Sequence, residues 1–150
     1  MTSTDDRFID NNNGTLTDQK TGLLWSKEDS WQSEARWVSW DEAMDYIYNY
    51  RDTRFGGTSE WRLPSQDEVL SLCEPETVNT DKYGNAIHLH TAFPSGPLAT
   101  IWFHEHFTGD EGYILDFKTK EVRTLNKSKT GRMAVRPVSG TMKKPEPGNS

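Results

Sequence analysis

A single cysteine, Cys73, stands among 150 residues, so no intramolecular disulfide can staple the chain. Cys-pair redox sites and Cys-rich zinc motifs within one chain are excluded with it. Long apolar runs are missing too. No stretch approaches the roughly 18 residues that a membrane-crossing helix needs, so no membrane span is expected. Positive charge is in deficit: 17 Lys and Arg face 23 Asp and Glu, a net charge of −6. That leaves no uniform basic field for polyphosphate or anionic lipid, and nucleic acid is not an expected partner. Residues 1–8 lack the basic and apolar regions of a secretory leader, which leaves the compartment unassigned between the cytoplasm and export by a route not written here. Aliphatic residues are scarce. Only 33% of the chain is hydrophobic, and Trp 6, Tyr 5 and Phe 6 make up about a third of that set, so the core must be built largely from rings.

The motifs of common enzymes are also absent. There is no Gly-rich phosphate loop, Gly-x-Ser-x-Gly elbow or His-Glu-x-x-His helix. Paired carboxylates such as Asp5-Asp6 and Asp110-Glu111 sit in polar stretches that do not raise a pKa for acid catalysis. A non-catalytic chain with no cofactor is expected.

What is present organises itself in order. Short β-type runs at 7–9, 15–17 and 23–25 alternate with turn chemistry, Asn13-Gly14 above all, and read as an antiparallel meander. Taking Gly14 as the sixth position of a calcium loop puts Ile9 first and Lys20 twelfth, where acidic ligands are required, so an EF-hand fails. Ser39-Trp40-Asp41-Glu42 is a capping box followed by apolar Trp40, Ala43, Met44 and Ile47, a helix ending near Tyr50. Ser65-Gln66-Asp67-Glu68 opens a second, shorter helix that buries Val69, Leu72 and Cys73. Residues 74–97 lose periodicity and gain Pro, Gly, Asn and Asp, a long irregular loop of the kind that often carries function. Strands return at 99–107, 113–117, 121–125 and 132–138, and 139–150 reads as a disordered tail. The expectation is one α+β domain over 1–138, with two helices packed on antiparallel sheet.

All four histidines fall in His88-Leu89-His90 and His104-Glu105-His106, and a strand presents both members of a His-x-His pair on one face. His88, His90, His104 and His106 could together ligate zinc or copper, or lie in loops with no such role. Trp102, His104 and His106 should share one strand face beside Asp110 and Glu111. That strip could stack on sugar, or Trp102 could be a core ring whose N–H is bonded to a neighbour.

The run Arg7-Phe8-Ile9-Asp10-Asn11-Asn12-Asn13-Gly14-Thr15-Leu16-Thr17-Asp18, continued by Thr21-Gly22-Leu23-Leu24-Trp25, resembles the opening signature of the bacterial Lcl C-terminal domain family, named for a collagen-like adhesin. Trp40 to Met44, the Trp61-Arg62-Leu63-Pro64 motif, Phe93-Pro94, Trp102, Asp116-Phe117 and Val135-Arg136-Pro137-Val138 resemble later landmarks in order. The resemblance implies a C-type-lectin-like fold and a binding module for glycans or a surface protein, with self-association, for example as a trimer, as a further partner form. Two departures stand out. Ile47 and Arg136-Pro137 occupy regions where secreted relatives often carry a cysteine pair, and Phe103-His104-Glu105-His106 replaces a late serine and threonine run. Calcium-dependent sugar binding in such folds uses an acidic-Pro-Asn tripeptide and a Trp-Asn-Asp motif. Glu74-Pro75-Glu76 is a near match to the first, and the second is missing. The candidate ligand surface is therefore the long loop with Trp102, His104, His106, Asp110 and Glu111.

Overall fold

The Asn-rich run between the first two strands spends its side chains on its own turn. Asp10 Oδ1 accepts from the Asn12 amide at 2.9 Å, Asn13 Oδ1 accepts from Thr15 Oγ1 at 2.6 Å, and Asn11 Nδ2 donates to Thr15 and Thr17 hydroxyls at 2.9 and 3.0 Å. Gly14 completes the turn at φ +89°, and a Cβ there would meet the Phe55 ring at 2.6 Å, so the position demands glycine twice over. Strands β1 (Phe8–Asp10), β2 (Thr15–Asp18) and β3 (Leu24–Ser26) pair antiparallel, Leu16 facing Trp25. These features come from a computed structural model that describes residues 7–73, 78–104, 110–129 and 131–142.

Among the described residues three α-helices follow instead of the expected two. The first, α1 (Ser30–Glu34), is closed by a capping box between Asp29 and Gln32. Helix α2 (Trp40–Thr53) starts at the Ser39 capping box and ends where Arg54 turns left-handed at φ 51°. Its buried side carries Ala43, Tyr46, Ile47 and Tyr50, so the stripe is rotated from the expected one and leaves Trp40 and Met44 half-buried. The phenols can occupy the inner face because both hydroxyls find partners there. Helix α3 (Gln66–Ser71) begins at the Ser65 capping box, and Val69 and Leu72 are buried as expected. Cys73 is half-buried, and desolvation pushes its thiol up to about 11, which keeps it out of nucleophilic chemistry at neutral pH.

Two short strands, β4 (Asn79–Thr80) and β5 (Ala86–Ile87), lie within the segment expected to be an irregular loop. Its described part is anchored rather than displayed. Ile87, Leu89, His90 and Phe93 are buried, and the buried Asn79 amide donates to the carbonyls of His90 and Phe93 at 3.2 and 2.8 Å. Exposure is concentrated at residues 82–86.

Strands β6 (Thr100–Phe103), β7 (Glu111–Asp116), β8 (Glu121–Asn126) and β9 (Met133–Ala134) form a second sheet in the order β8-β7-β6-β9. The β6–β9 pair is parallel, where the sequence suggested only antiparallel pairing. The expected last strand is cut in two. Pro137 has no N–H to give a ladder, and the chain crosses there from β9 in one sheet to β10 (Val138–Ser139), which pairs with β3 in the other. Ser139 therefore belongs to a strand, and residues 143–150 of the expected tail lie outside the described residues.

Two fork-shaped ion pairs close the periphery. Arg7 meets Asp18 at 2.8 and 2.7 Å, and Arg62 meets Glu68 at 2.8 and 2.7 Å. Burial would raise both carboxyls, but hydrogen bonds and charge from Arg7 and Arg62 outweigh it and hold Asp18 and Glu68 below their ordinary 3.8 and 4.5. A depressed folded-state pKa gives stability that is full above those ordinary values and lost as pH falls through and below them. Thermal melts should accordingly show Tm falling from pH 5 to pH 3, with a smaller fall in Glu68→Gln. Arg7→Ala, which strands the fully buried Asp18, should cost about 3–5 kcal/mol in urea unfolding.

Candidate functional site

Helical spacing puts Asp41, Met44, Asp45 and Tyr48 on one flank of α2. That flank faces the segment 62–65 and His104 across an open groove of about 680 Å³. Tyr48 is 46% exposed, with the Arg51 guanidinium 5.2 Å from its ring centroid. Arg51 is itself fixed, because its Nε donates to the Trp61 carbonyl at 2.7 Å. At the other end the half-buried Trp40 meets Trp102 edge-on at 5.9 Å and carries the Lys127 ammonium over its ring at 4.7 Å. The exposed His104 lies 6.4 Å from Trp40, and its backbone N–H donates to the Pro64 carbonyl at 2.7 Å. The groove thus joins an aromatic and methionine floor to carboxylates, a guanidinium, a hydroxyl and an imidazole.

The residues singled out from the sequence are distributed differently from the expectation. Trp102 is fully buried, and its indole N–H donates to the Val38 carbonyl at 2.9 Å, so it has no open face for a sugar. The reason is topological: β6 is flanked by β7 and β9, and Ile101, Trp102 and Phe103 are buried on both sides of the sheet. His104 is exposed at the groove, Asp110 and Glu111 are exposed at the start of β7, and His106 lies outside the described residues. His90 is buried against Phe8 at 4.7 Å, its Nδ1 accepting from the Ala92 amide, and His88 is half-buried. Among the described residues no three His, Cys, Asp or Glu side chains group so as to hold a metal ion, and His88, His90 and His104 are not brought together.

The Trp61-Arg62-Leu63-Pro64 motif serves mainly as framework. Trp61 is fully buried with its N–H on the Phe55 carbonyl at 2.9 Å, Leu63 and Pro64 are buried, and Arg62 holds Glu68 and the Gly140 carbonyl. Arg62 and Leu63 still form one wall of the groove. Sequence reasoning overlooked Asp41, Asp45, Tyr48 and Arg51. Their signal was available, since they lie at helical spacing away from the buried Ala43 and Ile47.

Seating of the groove's aromatic end depends on Gly112. A Cβ at this position would lie 2.7 Å from Trp40 Cε3 and 2.9 Å from Trp102 Cζ3, and neither ring can swing aside cheaply. Gly112→Ala should destabilise the fold by about 1–3 kcal/mol in urea unfolding and shift the tryptophan emission as Trp40 is pushed outward.

The family comparison bears on this same stretch of chain. The Lcl C-terminal domain model matches residues 14–139, which include both walls of the groove. No curated protein matches the chain. With most of its length covered by that match, the chain belongs to the Lcl C-terminal domain family, which suggests an adhesin-like binding module.

Proposed function

We propose that this domain is a non-catalytic recognition module whose ligand is a glycan, held in the groove between α2 and the segment 62–65. The observation that supports this most is the pairing of Tyr48, exposed and rigidly backed by Arg51, with Asp41, Asp45 and His104 around one open concavity. Sugar rings offer apolar C–H faces that pack on aromatic surfaces, and their hydroxyls bond to planar carboxylates, guanidinium and imidazole at the rim. The arrangement of helices on three β-sheets, together with the family membership, supports a binding role carried on a rigid frame. Ligand recognition through calcium is not part of the proposal, because the tripeptide pair it needs is missing from the sequence.

A glycan array probed with the full chain should give saturable hits, and Tyr48→Ala and Asp45→Asn should each weaken the best hit by about tenfold, or roughly 1.4 kcal/mol. Unchanged affinity in both variants would refute the groove as the contact surface. Binding of a protein ligand with no glycan hit would instead favour a surface protein as the partner.

A further inference from the structure

The outer strand of a sheet carries backbone donors and acceptors that its own sheet cannot satisfy, and folded chains keep such edges short or blunted. Most edges here obey that rule. Strand β1 has three residues, and β4, β5, β9 and β10 have two each. The Arg62 backbone also closes β10, donating to the Val138 carbonyl at 2.8 Å and accepting from its amide at 3.0 Å. Strand β8 is the exception. It is six residues long, contains no proline, and pairs with β7 without a bulge from Glu111↔Asn126 to Asp116↔Glu121. Among the described residues no strand lies on its other side.

Two hydrogen bonds decide which groups of β8 point outward. The Lys127 amide donates to the Asp110 carbonyl at 2.8 Å, and on the other side of β7 the Phe117 amide donates to the Ala99 carbonyl at 2.8 Å. Antiparallel partners alternate between bonded and non-bonded pairs, so the even-numbered residues of β7 bond to β8 and the odd-numbered ones to β6. Arg123 and Leu125 therefore direct their N–H and C=O groups to β7. Val122, Thr124 and Asn126 turn theirs away from the sheet, and Thr124 and Asn126 are exposed.

This edge is complementary to itself. If a second copy runs antiparallel with Thr124 facing Thr124, Val122 meets Asn126 of the second copy, and every outward residue bonds to an outward residue. The same register sets Glu121 opposite Lys127 and Arg123 opposite Leu125, with no like charges opposed. Neighbouring registers fail on charge. Centring on Arg123 opposes two guanidiniums, and centring on Leu125 opposes Arg123 to Lys127. Directly paired residues share a sheet face, so the two-fold axis stands perpendicular to the sheet. Ala43 and Ile47 of α2 pack on one face, with Trp102, Ile114 and Leu125, and that face is common to both copies.

We propose that β8 is a self-association edge, through which two copies join by Val122, Thr124 and Asn126 into one eight-stranded sheet with both grooves on the same side. A ligand repeated along a surface is then gripped at two points. Sedimentation velocity of the full chain at rising concentration should show a monomer–dimer equilibrium. Thr124→Pro removes only an outward N–H, so it should keep the wild-type circular dichroism and weaken dimerisation by about tenfold. Glu121→Lys, at an exposed position that faces Lys127 across the pair, should weaken it by about threefold and decides the matter if the proline variant misfolds. Register is read by mild oxidation. Thr124→Cys puts two thiols on Cα atoms about 5.5 Å apart, within disulfide range, whereas Glu121→Cys leaves roughly 20 Å between them along the strand. Linked dimer should form about fivefold faster or more in Thr124→Cys than in Glu121→Cys, because reach limits the second thiol. The wild-type chain, whose Cys73 is half-buried with its thiol raised, gives the baseline. A monomer at every concentration up to millimolar, a trimer, association unchanged in both Thr124→Pro and Glu121→Lys, or equal linking at 121 and 124 would overturn the assignment.

Discussion

Asp29 ties together parts of the chain that are far apart in sequence. Its carboxylate is fully buried, with Oδ1 capping α1 through the Gln32 amide at 2.9 Å and Oδ2 accepting from the Leu98 amide at 2.9 Å. Arg136, 1% exposed, supplies the nearby positive charge while donating through Nη1 to the Ser26 and Lys27 carbonyls at 3.0 and 2.6 Å and lying 4.6 Å over the Phe93 ring. Burial raises the Asp29 carboxyl above its ordinary 3.8, against the pull of Arg136 and of the backbone donors. Buried charge of this kind adds little net stability, but it tolerates few alternative arrangements, because any slip leaves a desolvated charge without partners. The end of β3, α1, the approach to β6 and the crossing between sheets are all set by that requirement.

This constraint decides which surfaces are available for recognition. Leu98 is pinned by Asp29, Gln32 Nε2 donates to the Pro94 and Ser95 carbonyls at 3.2 and 3.1 Å, and Asn79 holds the carbonyls of His90 and Phe93. A segment fastened at so many points acts as framework. The two flanks of α2 border open concavities, and the inner stripe of Ala43 and Ile47 between them is fixed in the second core cluster with Trp61 and Trp102. One helix thereby borders both an aromatic groove and a hydroxyl-lined cleft.

The sequence made some of this plain and concealed the rest for identifiable reasons. Ser39 and Ser65 announced their helices because a capping residue, an acid three positions on and an apolar stripe coincide there. Asp29 and Gln32 form the same box, yet only a short helix follows, with no periodic stripe to draw attention to it. Trp102 and His104 sit two apart and both rings lie beside Trp40, but β6 ends at Phe103, and period-two patterning cannot reveal that the strand is covered on both faces. The strand expected at 132–138 ran through Pro137, although its missing N–H cannot continue a ladder, while the parallel partner of β9 depends on long-range topology. The irregular composition of residues 74–97 suggested a displayed loop, because Pro, Gly and Asn report missing ladders and say nothing about side-chain burial. Tyr48 was visible as a helix residue, but its role needs the opposing wall from residues 62–65 and 104, which only folding supplies.

The framework role of the long segment is the claim on which the choice of recognition surface turns, and amide hydrogen exchange of the unliganded chain tests it directly. His88 donates to the Phe117 carbonyl at 2.9 Å, Lys82 to the Pro97 carbonyl at 2.8 Å and Leu98 to Asp29, so their amides should be protected to the same degree as those in the β6–β7 ladder and far more than the amide of the exposed Ser59. Exchange at His88 and Leu98 as fast as at Ser59 would show a freely moving loop and contradict the account.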